Sequence, residues 1–231
     1  MAIKYPVATS PSRMRTHDEC PKRYYFENVL KLPQPENEHM KRGTEVHKSL
    51  HMFVKKLSNS LPKGVRHTIG ELSEPLMWLR KHENIVDIEP GLCANPAWKS
   101  VDWFDKKAYF RVKLDARYVD PQSDASSVTI IDYKTGKQYP EHTQLMEDYG
   151  VMQFLEAPKI SEVVTELWYV DQGRRTTAVY DRKAALARLP NLKKRVAAVL
   201  NDRKFQPMGV VNGKCAWCPH SKKRGGVCDA G

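Results

Sequence analysis

The alternation of apolar and polar residues in the middle of the chain predicts a pair of β-strands. Residues 108–119 and residues 128–133 are rich in valine, isoleucine, leucine and aromatic side chains, which is typical of strands. Residues 120–124, between them, include aspartate, proline and serine, which favour a turn. We therefore expect the two strands to pair in antiparallel fashion.

Helical periodicity is found on both sides of this strand pair. Apolar residues recur three or four positions apart over residues 46–57, which predicts an amphipathic helix. Other helices are expected to open at residues 10–12 and at Pro21, and to cover residues 71–82, 142–156 and, divided at Pro190, 182–202. Residues 163–180 predict a hairpin around Gln172-Gly173. This order of elements predicts an α/β fold with a central mixed β-sheet flanked by helices.

Size and charge narrow the class of protein. A chain of 231 residues suits a single domain, here 1–231, and its 41% hydrophobic and 28% charged residues are ordinary for a folded, soluble protein. Lysine and arginine outnumber aspartate and glutamate by 38 to 27, for a net charge of +11. Such a surplus favours a polyanionic partner, nucleic acid first. The alternative is a basic protein whose charges are only solvated.

Several functional classes are not supported by the sequence. It contains no apolar run of 18 residues and no apolar segment near Met1, so neither a membrane span nor a secretory signal is predicted, and we expect a cytoplasmic location. Gly136-Lys137 is followed by Gln138 rather than serine or threonine, so a nucleotide-binding P-loop is not formed.

Three of the five cysteines cluster near the end of the sequence: Cys215, Cys218 and Cys228. In a reducing cytoplasm this clustering indicates a metal or cluster site rather than disulfides. Three thiolates leave a closed site one ligand short, and Cys20 is the natural fourth. That ligand would join residues 1–30 and 203–231 into one cysteine-bearing subregion. The remaining thiol, Cys93, is expected to be a small buried hydrophobe.

The predicted strand pair also carries acids. Asp115 lies in the first strand, and Asp132-Tyr133-Lys134 ends the second. Asp132 follows a run of apolar residues, where an unpaired charge would be costly, so a metal or a cation should lie against it. Two carboxylates can hold a divalent metal and a lysine can stabilise an attacked phosphate, which makes a metal-dependent nuclease a candidate.

Together these residues resemble a known family. Gly43 to His47, Leu114-Asp115, Ile131 to Gly136, and a helix opening with Gln144 resemble the RecB-like branch of the PD-(D/E)XK nuclease superfamily. The cysteine pattern is similar to that of its iron–sulfur subset, such as AddB-type and CRISPR-associated RecB-like nucleases. The resemblance spans residues 10–228, and the small size suits a stand-alone nuclease encoded by a phage.

The resemblance implies a restriction-endonuclease-like core and a set of roles. His47, Asp115, Asp132 and the carbonyl of Tyr133 would ligate Mg²⁺ or Mn²⁺, Lys134 would orient the attacking water, and Gln144 would contact the lysine region or the DNA. A [4Fe-4S] cluster would be held by Cys20, Cys215, Cys218 and Cys228. The substrate would be single-stranded DNA or duplex ends, and the activity that of an exonuclease.

Two departures from the family pattern leave alternatives open. The gap from Gln144 to Tyr149 is one residue longer than usual, and the loop between Cys218 and Cys228 is long. Zn²⁺ is the alternative to iron–sulfur, with His220 as a substitute for Cys20. The alternative function is a catalytically inactive, basic DNA-binding or recombination accessory protein.

Overall fold

A mixed β-sheet lies at the centre of the molecule. The computed structural model describes residues 4–34, 38–61, 65, 70–119 and 126–230. The strands within these residues are β1 (Val86–Ile88), β2 (Gly91–Ala94), β3 (Phe110–Lys113), β4 (Ala116–Tyr118), β5 (Ser127–Lys134), β6 (Glu162–Tyr169) and β7 (Arg174–Asp181). The central sheet has the order β1-β4-β5-β6-β7, and β2 pairs with β3 in a separate ladder.

Helices cover the sheet. They are α1 (Pro11–Glu19), α2 (Pro21–Tyr24), α3 (Glu38–Val54), α4 (Ser73–Lys81), α5 (Glu141–Glu156), α6 (Arg182–Leu186) and α7 (Leu189–Asn201). A π-helical segment, Tyr25–Val29, continues α2. Helix α5 connects β5 to its parallel neighbour β6, because parallel strands need a long crossover. The other neighbouring strands of the central sheet are antiparallel. The expected mixed sheet flanked by helices is therefore confirmed. None of the described helices is both long enough and apolar enough to cross a membrane.

Strand β5 contributes to two hydrophobic cores because successive side chains of a strand point to opposite faces. Val128 and Ile130 belong to a core that includes apolar residues of α5 and α7. Ile131 and Tyr133 belong to a second core with α3 and α4. Asp132 has the same parity as Val128 and Ile130, so its carboxylate faces the α5 side of the sheet.

The predicted strand over residues 108–119 is divided in the structure. Its first part is β3, which pairs with β2, and its last part is β4, which pairs antiparallel with β5 as expected. The two parts separate at Leu114 and Asp115. There the backbone N–H of Leu114 donates to the Pro90 carbonyl, and the N–H of Glu89 donates to the Asp115 carbonyl, both at 3.0 Å. The predicted turn over residues 120–124 lies outside the described residues.

The other helical predictions hold with one correction. Helix α3 ends at Val54, three residues before the predicted end of its apolar stripe, and Leu57 is 74% exposed. The hairpin around Gln172-Gly173 is β6 and β7, and Gly173 has the positive φ of 59° that this turn requires.

Arg182 joins the beginning of α6 to the end of α5. Its guanidinium donates hydrogen bonds to the carbonyls of Phe154 at 3.2 Å, Ala157 at 2.9 Å and Ile160 at 3.3 Å. Carbonyls at a helix C-terminus have no partner within the helix, so this side chain satisfies groups that would otherwise be costly to bury.

We predict that Arg182→Ala lowers the free energy of unfolding by about 2–3 kcal/mol, because it leaves these carbonyls without their donor. Urea denaturation followed by circular dichroism measures the change. Arg174→Ala is the matched control, since Arg174 is exposed on β7. Equal, small effects of both substitutions would contradict this role.

Candidate active site

The division between β3 and β4 positions Asp115 next to β5. Ala116 is paired with Ile131 in the β4–β5 ladder, so Asp115 is brought opposite Asp132. The ladder ends there, and the backbone N–H of Tyr133 donates instead to Asp115 Oδ2 at 2.7 Å. A carboxylate thus replaces a backbone carbonyl as the acceptor.

His47 approaches Asp115 from helix α3. Its Nδ1 lies 3.0 Å from Asp115 Oδ1, and its ring packs edge-on against the ring of Tyr133, with centroids 5.8 Å apart. Burial alone would lower the pKa of His47. The hydrogen bond and the charge of Asp115 outweigh burial and raise that pKa above its ordinary value.

Asp132 is the most deeply buried of the candidate acids, with 4% of its surface exposed. Tyr149 of α5 donates its hydroxyl to Oδ1 at 3.3 Å. Oδ2 is buried, and the Lys134 ammonium lies against it as an ion pair. The two oxygens of this carboxylate therefore have different partners, a neutral hydroxyl and a cation.

The two carboxylates differ in protonation preference. Burial raises the pKa of Asp132, with the Lys134 charge opposing that effect. Burial also acts to raise the pKa of Asp115, but the hydrogen bond and charge of His47 and the N–H of Tyr133 outweigh it, and that pKa is lowered. Neighbouring acids whose pKa values are shifted apart are common at functional sites.

The structure brings five of the predicted site residues together: His47, Asp115, Asp132, Tyr133 and Lys134. Gln144 lines the same groove, but its amide donates within α5 to Glu147 at 3.2 Å and Asp148 at 3.5 Å. Burial raises the pKa of Asp148 to about 7 even though Arg195 is its partner. The contact expected between Gln144 and the lysine region is not among the hydrogen bonds of the described residues.

The donor atoms suit a hard divalent cation. Carboxylate oxygens, here those of Asp115 and Asp132, are the ligands that Mg²⁺ prefers, and the imidazole of His47 widens tolerance toward Mn²⁺. In the part of the chain that the structure describes, however, no three His, Cys, Asp or Glu side chains converge closely enough to enclose one ion. The contacts seen are between pairs, His47 with Asp115 and Lys134 with Asp132.

A groove of about 1000 Å³ runs past this site. The basic residues that line it are Arg13, Arg15, Arg111, Lys113, Lys134, Arg195 and Lys214. They outnumber the acidic residues of the lining, which are Asp18, Glu19, Glu141 and Asp148. A concave surface with an excess of positive charge concentrates polyanions, as expected from the net charge of the chain.

Four cysteines from the two ends of the chain line one pocket: Cys20, Cys215, Cys218 and Cys228. The ends are held together beside it, since His17 Nε2 lies 2.9 Å from Asp202 Oδ2 and the ring of Tyr24 stacks on Phe205. All five cysteines of the chain are free thiols, and Cys93 is buried elsewhere in the fold.

Backbone groups approach the pocket closely. Burial would raise the pKa of Cys20, but N–H groups, among them that of Met208 at 3.4 Å from Sγ, lower it and favour the thiolate. A Cβ atom on Gly209 would lie 2.9 Å from the Cys215 sulfur and 3.9 Å from that of Cys20. Only a glycine fits between these two thiols.

His220 has a different environment from the four thiols. Its ring packs against Phe26 with centroids 5.3 Å apart, and its Nε2 lies 3.6 Å from Glu27 Oε1. His220 is not among the described residues that line the cysteine pocket. The geometry therefore favours Cys20 over His220 as the companion of the C-terminal cysteines.

Sequence reasoning left one contact of this site undefined. Tyr149 was in doubt because its spacing from Gln144 differs from the family pattern, yet its hydroxyl contacts Asp132 and the Lys113 carbonyl. The signal that could have identified it is its position on the helix that directly follows the Asp-x-Lys strand. From this position on α5, Tyr149 reaches Asp132 near the end of β5.

Comparisons with known proteins agree with this geometry. Among solved structures, a candidate exonuclease from Eubacterium rectale is similar to the chain with a TM-score of 0.52 and 10% identity, covering 90% of this chain and 82% of that one. The protein SSO0001 gives a TM-score of 0.44 at 14% identity, over 99% and 89% of the two chains. At these identities only the fold is compared. No curated protein sequence matches.

The family comparison is more direct. The model of the PD-(D/E)XK nuclease superfamily matches residues 8–222, which is nearly the whole chain and includes each candidate site residue from His47 to Gln144. The match agrees with the mixed sheet and with the paired acids at the end of β5. The chain belongs to the PD-(D/E)XK nuclease superfamily.

Proposed function

We propose that the protein is a Mg²⁺- or Mn²⁺-dependent deoxyribonuclease that hydrolyses phosphodiester bonds, acting as an exonuclease. The observation that carries this proposal is the buried Asp132 carboxylate, whose Oδ2 is paired with the Lys134 ammonium at the edge of a basic groove that His47, Tyr133 and Tyr149 also line. A buried carboxylate is costly unless cations and hydrogen-bond donors complete its environment, and this one is held next to Asp115 at the end of a ladder.

The proposed roles follow from the contacts of each side chain. Asp115, Asp132, His47 and the carbonyl of Tyr133 would hold the metal ion. When bound, such an ion makes water acidic enough to attack a phosphate near neutral pH. Lys134 would orient the attacking water and stabilise the negative charge on the phosphate. Gln144 lies on the groove wall and would contact the DNA; it would not contact Lys134.

Tyr149 would act by positioning Asp132. The Tyr149 hydroxyl restrains one oxygen of Asp132, which leaves the other directed into the site. The basic lining of the groove would hold the DNA backbone through phosphate contacts. The exonuclease mode is proposed by analogy with the structurally similar protein from Eubacterium rectale, itself described as a candidate exonuclease. The cytoplasmic location and the phage origin stay predictions.

We also propose that Cys20, Cys215, Cys218 and Cys228 hold a [4Fe-4S] cluster that joins residues 1–30 and 203–231 within one domain, 1–231. Support comes from their common pocket and from the N–H groups that favour the Cys20 thiolate. A zinc ion would take all the sulfurs on one metal, whereas a cubane binds each thiolate through a different iron. The preference for the cubane rests on the resemblance of the cysteine pattern to that of the iron–sulfur subset.

Cleavage of linear single- and double-stranded DNA with Mn²⁺, and with EDTA as the blank, tests the catalytic proposal. We expect Lys134→Ala and Asp115→Ala to lower the rate by at least about a hundredfold, because each removes a group that stabilises the transition state. Fold and DNA binding should be retained. The matched control is Lys137→Ala, which removes an exposed lysine three residues from Lys134.

Robust metal-dependent cleavage by both site variants would mean that the chemistry takes place elsewhere. DNA binding without any cleavage by the unmodified protein would instead favour the accessory function considered from the sequence.

We predict that Tyr149→Phe weakens Mn²⁺ binding or cleavage by about 10- to 100-fold, because Asp132 loses the donor that restrains it. Calorimetric titration with Mn²⁺ and single-turnover cleavage measure the two effects. Tyr109→Phe is the control, since that ring packs against Trp98 and not against the carboxylates. Unaltered metal affinity and rate in the Tyr149 variant would show that its hydroxyl is dispensable.

Protein purified without oxygen should be brown and contain about four irons per chain. Cys20→Ser should lose most of this iron, whereas Cys93→Ala should retain it because Cys93 is buried outside the pocket. Colourless protein with one zinc per chain would contradict the cluster, and full metal content in the Cys20 variant would restore His220 as the fourth ligand.

A further inference from the structure

The connection between β2 and β3 carries two adjacent aromatic residues with different environments. Trp103 is half-buried and lines the groove that passes the active site. Phe104 is 89% exposed and is not among the described residues of that lining. The two side chains therefore separate into one that faces the groove and one that faces away from it.

Two contacts fix the indole of Trp103. Its six-membered ring lies over Gly91, so closely that a Cβ atom on that residue would be 2.4 Å from Cε3. The guanidinium of Arg111, another residue of the lining, is 5.6 Å from the ring centroid. A ring held in this way is already ordered before any ligand arrives, which lowers the entropy cost of binding to it.

A short series of contacts links Trp103 to the catalytic acids. Gly91, beneath the indole, is paired with Lys113 in the β2–β3 ladder. The Lys113 carbonyl accepts the Tyr149 hydroxyl at 3.3 Å, and the same hydroxyl contacts Asp132. Lys113 is also two residues from Asp115. Trp103 thus lines the same groove as His47 and Lys134, and it is connected to Asp132 through Gly91, Lys113 and Tyr149.

We propose that Trp103 is a base-stacking platform that selects single-stranded DNA, by stacking on an unpaired base next to the phosphate at the carboxylates. The substrate class rests on the proposed nuclease function. In the interior of a duplex both faces of a base are covered by its neighbours, whereas an unpaired base can place one face on an aromatic ring. Stacking is indifferent to base identity, so the selection is for strand form rather than for sequence.

The charges around Trp103 fit the same ligand. Arg111 lies beside the indole, and its Nε is buried without a hydrogen-bond partner among the described residues. Arg13 and Arg15 of α1 line the groove as well. Interleaved cations and an aromatic face are the combination that holds a flexible single strand, since cations follow the phosphates and the ring takes the base.

Equilibrium binding in EDTA, where metal-dependent cleavage is prevented, tests the proposal. The probes are a fluorescent oligothymidylate, an abasic strand of equal length, and a duplex whose two ends are closed by non-nucleotide linkers, so that no terminal base face is free. Loss of one stacked base should make Trp103→Ala bind the oligothymidylate about five- to a hundredfold more weakly. Trp103→Phe should recover most of this loss. The duplex and the abasic strand should be affected little.

Two further variants separate stacking from damage to the fold. Phe104→Ala removes the neighbouring aromatic side chain, which faces away from the groove, and should bind all probes normally. Gly91→Ala keeps the indole but displaces it, and should weaken oligothymidylate binding as Trp103→Ala does. Circular dichroism and thermal unfolding establish that each variant is folded.

Equal loss on the abasic strand or on the duplex would overturn the proposal, as would unchanged binding by Trp103→Ala. A Trp103-dependent affinity for the matching RNA but not for DNA would overturn the assignment to DNA. Failure of the nuclease function would be seen separately, as absence of cleavage with metal while the Trp103-dependent binding in EDTA persists.

Discussion

The hydrogen bond from the Tyr133 amide to the Asp115 carboxylate holds two buried acids next to each other at the end of the β4–β5 ladder. Keeping such charges apart from water is unfavourable unless each has a partner. His47 from one layer and Lys134 from the strand itself supply those partners, and Tyr149 supplies a donor from the opposite layer. The site therefore depends on one hydrogen bond, in which the backbone N–H of Tyr133 donates to the Asp115 carboxylate at the point where the β4–β5 pairing ends.

Local pattern was sufficient to predict β5 and the strand segments on either side of Asp115, because alternation reports which positions of a strand are buried. It could not predict the division at Asp115. That break depends on Glu89 and Pro90, more than twenty residues upstream, which take over the backbone hydrogen bonds of the strand. The sequence pattern did not identify Trp103 for a similar reason. Its position is set by close approach to Gly91, a tertiary contact that has no sequence pattern.

In the cysteine region, unlike at Asp115, the sequence pattern alone suggested which segments come together. The clustering of Cys215, Cys218 and Cys228 was enough to suggest a metal or cluster site that Cys20 would complete. The sequence left open whether Cys20 or His220 is the fourth ligand, and the structure was needed to compare their surroundings. The ring of His220 packs against Phe26, and its Nε2, 3.6 Å from Glu27 Oε1, has no hydrogen-bond partner among the described residues. Cys20, by contrast, lines the pocket of the other three cysteines at the start of α2, where N–H groups favour a thiolate.

Both faces of strand β5 pack against other parts of the protein. One side of it fills the core beneath α3 and α4, and the other side holds Asp132 and Lys134 between core residues of α5. Substitutions on this strand are thus constrained by the packing on both faces of the sheet. Divergence in the preferred form of DNA should accumulate instead at exposed positions of the groove walls, on α1 and on the β2–β3 connection, but not at Met14 and Trp98, which belong to the core.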